Sequence, residues 1–199
     1  MTTGRRVFIA LPLPEPLRTA LPLLQQQLAV PLPSVRWVSR DQLHLTLLFH
    51  PALAAEQVER VGPLMLSIGR RFPPIPLQLS ALGGFPRRSA LRVLWLGLAD
   101  PAPVRTLHAA LAAAVAPLGW LPEPRPFHPH LTLGRSRTVL RPQRLPVLDL
   151  PPVRLQRLVL YHSELGPGGA VHRILVEAPL CGPADTVHLS SPNHEGDHG

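Results

Sequence analysis

The tetrapeptide His44-Leu45-Thr46-Leu47 recurs later in the chain as His130-Leu131-Thr132-Leu133. Side chains on a β-strand alternate between faces, so in each copy the histidine and threonine share one face and the leucines the other. The leucines can be pinned in a core while an imidazole and a hydroxyl face outward. Two such strands opposite one another would line a cleft with two imidazoles and two hydroxyls. That set suits in-line displacement at phosphorus. One proton must leave the attacking oxygen and another must reach the leaving oxygen, on opposite sides of the phosphorus. An unperturbed imidazole pKa of ~6.5 lets one ring be neutral and the other protonated near neutral pH. The threonine hydroxyls can donate to the non-bridging oxygens, and arginine can neutralise the charge that builds there. Acid–base help supplies ~10²–10⁴-fold, so positioning and electrostatics must carry the rest. The scheme requires no metal and no cofactor.

One histidine on a strand is usually a structural residue, and one threonine there is usually a β-former. The duplication, with the polar pair on the same face in both copies, shifts the balance toward a site. His128 and His130 form a His-x-His pair that could ligate a metal, although carboxylates near them are scarce. His50, His108, His162 and His172 have no supporting pattern and read as surface or structural residues.

Each copy of the tetrapeptide follows a helical segment and sits on an expected strand. Strands are expected at Arg5–Leu11, Val35–Val38, Leu43–Phe49, Ile75–Leu82, Leu91–Leu98, His128–Arg135, Arg154–Ser163 and Val171–Glu177. Gly83–Ser89 and Pro122–Pro126 read as loops, and Gly166–Gly169 as a hairpin turn. Helices are expected at Pro14–Val30, where Leu17, Leu21, Leu24 and Leu28 make one apolar face, at Ala54–Arg71 and at Pro101–Leu118. Pro22 suggests a late start or a kink in the first of these. The order in the second half echoes the first. It predicts an α+β fold of two pseudo-symmetric βαβ-type lobes whose antiparallel sheets enclose a central cleft. Residues 1–180 would form this single domain, and residues 181–199, polar and without apolar period, a disordered tail.

The 199 residues are 45% hydrophobic and 16% charged, as in a packed globule. The 27 prolines and 20 cations, all arginine, fit a GC-rich genome, while the net charge of +8 also suits a phosphate-bearing partner. The lone cysteine, Cys181, cannot make an internal disulfide. The longest apolar stretch, Leu107–Leu121, is too short to span a bilayer. Arg5-Arg6 opens a strand here rather than an export signal. A cytoplasmic monomer without membrane association is expected.

With these residues in view, the chain resembles the two-histidine (2H) phosphoesterase superfamily, and within it the RNA 2′,3′-cyclic phosphodiesterases once described as 2′-5′ RNA ligases. Beyond the two motifs, the resemblance rests on Val7–Leu11, Arg36-Trp37-Val38, Val93–Gly97, Phe127-His128-Pro129 and Ser163–Gly169. It spans about residues 5–180. It implies hydrolysis of RNA 2′,3′-cyclic phosphate ends to 2′-phosphates, with RNA as partner, His44 as proton donor and His130 as proton acceptor. It further implies that Thr46, Thr132 and Arg135 bind the phosphate. Three positions depart from the usual pattern: His50-Pro51 after the first motif, Leu48 where a lysine is common, and Gly134 where alanine is common. Trp37 and Phe127 are candidates for stacking on a base or for core packing. Two other functions remain open on the residues alone. One is a non-catalytic RNA-binding module, suggested by the arginine pairs at 5–6, 70–71 and 87–88. The other is metal-assisted hydrolysis through His128 and His130.

Overall fold

The structure, a computed structural model, describes residues 4–87, 90–121, 125–140, 150–166 and 169–183. Parts of the expected loops at 83–89 and 122–126, of the turn at 166–169, and residues 184–199 of the expected tail lie outside the described residues.

Two four-stranded antiparallel sheets face each other. The first contains β1 (Arg5–Pro12), β3 (His44–Leu53), β9 (Arg157–Gly166) and β10 (Gly169–Pro179), in the order β10-β9-β1-β3. The second contains β2 (Val35–Trp37), β5 (Leu79–Arg87), β6 (Ala90–Leu98) and β7 (Leu131–Leu140), in the order β2-β7-β6-β5. A short pair, β4 (Ile75–Leu77) and β8 (Val153–Leu155), stands apart. The expected α+β architecture of two antiparallel walls is present. The walls are not successive halves of the chain, however, because each sheet draws strands from both halves.

The helices lock this interleaving. α1 (Glu15–Ala29) begins at Glu15 and runs through Pro22. It buries the four expected leucines and also Gln25. The Gln25 side chain donates to the carbonyls of Val38 and Leu133, which ties α1 to the second sheet although it follows a strand of the first. α3 (Ala102–Val115), which follows a strand of the second sheet, lies against β3 of the first. α2 (Ala55–Gly69) covers the outer face of β9 and β10, with Gly62 against Val176. One continuous apolar cluster joins Val7, Ile9 and Leu45 of the first sheet to Leu96, Leu131 and Leu133 of the second. Each fully buried leucine there contributes ~1.5–3 kcal/mol of burial. The end of β10 is held by backbone bonds from Cys181 to Gly69 and from Gly182 to Phe72. No described helix is long and apolar enough to cross a membrane.

The expected loop at Gly83–Ser89 is instead mostly strand, with β5 running to Arg87. Its glycine serves a neighbour rather than a turn. A Cβ on Gly83 would lie 2.3 Å from the Trp95 ring, so the indole of β6 lies over bare backbone.

Candidate active site

His44 opens β3, and His130 directly precedes β7. Leu45, Leu47, Leu131 and Leu133 are buried, whereas His44, Thr46, His130 and Thr132 keep partial exposure. β3 and β7 lie against each other where the sheets meet. The two imidazoles are close enough that charge on His130 disfavours charge on His44.

Both rings are held the same way. His44 Nδ1 is 2.8 Å from the carbonyl of Gln42, and His130 Nδ1 is 2.7 Å from the carbonyl of His128. A carbonyl only accepts, so Nδ1 carries the proton in each ring and Nε2 is left as the titrating atom. The Thr46 and Thr132 hydroxyls have no hydrogen-bond partner among the described residues.

An aromatic shell backs each imidazole. Phe8 stacks on His44 at 4.9 Å, with Tyr161 stacked on Phe8 and His172 edge-on to His44 at 5.8 Å. On the other wall Phe85 meets His130 edge-on at 4.7 Å, with Trp95 at 6.1 Å and His128 at 6.4 Å. Burial, opposed only by the Gln42 carbonyl and reinforced by His172 and His130, holds His44 down to about 4. Burial also lowers His130, opposed by the hydrogen bond to the His128 carbonyl, while the charges of His128 and Arg135 add to the lowering. From the sequence, Phe8, Trp95 and Tyr161 fell within expected strands and Phe85 within an expected loop, and none was singled out for the site. His172, expected as a surface or structural residue, stands half-buried beside His44, because the strand pairing brings it into the cleft.

Both motif strands carry a bulge at the same motif position. On β3, Ala10 pairs with Thr46 and Ile9 with Leu48, which skips Leu47. On β7, Trp95 pairs with Thr132 and Leu94 with Gly134, which skips Leu133. The extra residue breaks the alternation. Strict period two from Thr132 would turn Arg135 toward the leucine face. The bulge instead aligns Arg135 with Val93 and so with Phe85, on the cleft face beside Thr132. The same step buries Leu48 and turns Phe49 to the cleft face, alongside Phe8. The Leu133 carbonyl is satisfied by the Val38 N–H and by Gln25, a buried residue that the leucine periodicity of α1 concealed. Gly134 is needed at this bulge. A Cβ there would lie 2.4 Å from Val35 Cγ1 on β2. Gly134→Ala is expected to cost ~1–3 kcal/mol through overpacking, measured by urea unfolding.

Arg135 is exposed at the cleft and has no carboxylate partner among the described residues. Trp37 and Phe127 both pack against the core, and Phe127 stacks on His108 at 3.9 Å. Among the described residues no group of three or more His, Cys, Asp or Glu could hold a metal ion.

Comparison with known proteins follows the same geometry. The profile of the 2′-5′ RNA ligase superfamily matches residues 15–164. An RNA 2′,3′-cyclic phosphodiesterase of Thermus thermophilus is 33% identical over 96% of this chain and 100% of its own. One from Escherichia coli is 36% identical over 68% of this chain and 74% of its own. Among solved structures, a Thermus thermophilus protein superposes with a TM-score of 0.78 at 31% identity, covering 90% of this chain and 100% of that one. E. coli LigT solved with 3′-AMP gives 0.75 at 30%, covering 89% and 98%.

Proposed function

The chain belongs to the 2′-5′ RNA ligase superfamily, and from that membership we propose that it hydrolyses 2′,3′-cyclic phosphate ends of RNA to 2′-phosphates without a metal. The observation that carries this reading is the pair of imidazoles on opposing walls, each with Nδ1 on the carbonyl two residues upstream. Nε2 of His130 takes a proton from water as its oxygen attacks phosphorus. The P–O3′ bond breaks, and Nε2 of His44 delivers a proton to the departing O3′. Thr46, Thr132 and Arg135 stabilise the non-bridging oxygens as their charge grows. Solvent then carries the proton from His130 back to His44. The nucleotide bound by LigT supports a nucleotide-sized ligand for this cleft.

The free site holds its two rings at unequal basicity, with His44 driven down to about 4. The phosphate anion raises both rings, because a nearby negative charge favours the imidazolium. The productive form carries one proton on the pair. Activity is lost below about 4, where both rings are protonated and the base is gone. It is lost above the lowered value of His130, where both are neutral and the acid is gone. Hence kcat/KM is expected to be bell-shaped with its maximum on the acid side of 6.5, the ordinary imidazole value. The alkaline limb of kcat should lie higher, since it reports the complex. Steady-state rates from pH 4 to 9 check this, and a kcat/KM that peaks above pH 7 contradicts it.

The deciding assay incubates an oligoribonucleotide ending in a 2′,3′-cyclic phosphate with the protein and EDTA. A 2′-phosphate product is expected. A 3′-phosphate, or activity lost to EDTA and restored by a divalent ion, rejects the scheme.

A further inference from the structure

Among the described residues, four buried side-chain atoms lack a hydrogen-bond partner: Arg6 Nε, Trp95 Nε1, Ser163 Oγ and His172 Nδ1. Three of the four stand in one row across the first sheet. Ser163 pairs with His172 between β9 and β10. The β1–β9 ladder sets Phe8 against Tyr161 and Val7 against His162, and its next step brings Arg6 beside Ser163. Residues opposite one another in a ladder project to the same face. Here it is the cleft face, which Phe8 and Tyr161 share one alternation along the strands.

A buried polar group without a partner costs ~1–3 kcal/mol. Three adjacent ones in a well-bonded protein point to a missing partner. Water could satisfy a hydroxyl or an imidazole but could not neutralise a guanidinium. Among the described residues no carboxylate pairs with Arg6. Glu164, the nearest in the chain, lies on the alternate face, beside His162 and Arg173. The Arg6 guanidinium lies 4.7 Å over the Phe49 ring. Phe49 in turn holds the motif position that Arg135 holds on the other wall. Each wall therefore has a cation, one on its motif strand and one on the neighbouring strand above an aromatic platform. His172 links the row to the site, 4.8 Å from Phe8 and 5.8 Å from His44 between ring centres.

We propose that Arg6, Ser163 and His172 form a second anion subsite, which takes the phosphodiester adjoining the cyclic end and makes an oligonucleotide a better substrate than a cyclic mononucleotide. This rests on the phosphodiesterase reading above. All three residues can donate to phosphate oxygens, and Arg6 adds the compensating charge.

The test compares a dinucleotide ending in a 2′,3′-cyclic phosphate with the matching cyclic mononucleotide. The wild-type protein is expected to favour the dinucleotide by tenfold or more in kcat/KM. Arg6→Gln should reduce that preference at least tenfold, and Ser163→Ala and His172→Phe should reduce it by smaller factors. Equal losses on both substrates, or a preference that survives all three substitutions, overturn the subsite. A second measurement needs no turnover. Inorganic phosphate is titrated into the His44→Ala/His130→Ala double variant while the His172 ring resonances are followed by NMR. A saturable shift that Arg6→Gln removes is expected, and its absence overturns the subsite even if cyclic ends are opened. An intact shift in a protein that opens no cyclic ends rejects the phosphodiesterase reading and leaves the subsite standing.

Discussion

Replacing either His44 or His130 with alanine is expected to lower kcat on a cyclic-ended oligoribonucleotide by ~10²–10⁴-fold. The double variant should fall little further, because a donor and an acceptor that serve one displacement act as a unit. Their roles separate with a diester whose leaving group is 4-nitrophenolate, a stable anion that needs no proton. His44→Ala should recover most of its rate on that substrate, whereas His130→Ala should not, because water still needs a base. The opposite outcome would exchange the two roles. The exchange is a real chemical alternative, since the free site drives the His44 imidazole down to about 4 and the two rings hang from equivalent carbonyls. Steady-state rates on both substrates decide the matter.

Arg135→Gln is expected to lower kcat by ~10²–10³-fold, the usual loss when one preorganised donor to a developing oxyanion is removed. Arg135→Lys should recover only part of this, because an ammonium lacks the planar fork that matches two phosphate oxygens. The expectation depends on the bulge at Leu133, which turns the guanidinium to the cleft. Gln25 donates to the Leu133 carbonyl at 3.1 Å and so helps hold that turn. If Arg135→Gln stays within threefold of the unsubstituted protein, Arg135 has no part in the chemistry.

Much of this was legible in the residues. The repeated tetrapeptide placed its leucines in the core and its polar pairs at the cleft, because period two is a local property of a strand. The three helices and most strands followed from apolar spacing and proline punctuation. Three features were hidden for physical reasons. Bulges are set by pairing with a neighbouring strand, so strict alternation misjudges Arg135 and Phe49. Gly83 resembles a loop residue because its role, making room for Trp95, belongs to a contact on the next strand. His172 reaches His44 only because β9 and β10, from the end of the chain, join a sheet begun by β1. Interleaving of this kind leaves no mark on any single segment.

The matched bulges have one more consequence. A scaffold whose two walls are related by a half-turn would accept a nucleic-acid strand equally well in either direction. The residue that each bulge turns outward spoils that equivalence, with a phenyl ring at Phe49 and a guanidinium at Arg135. On one wall the cation, Arg135, stands on the motif strand itself; on the other it is Arg6 of the neighbouring strand, set over the Phe49 ring. The two directions along the cleft therefore meet positive charge at unlike positions, and a nucleic-acid strand would meet different surroundings in its two orientations.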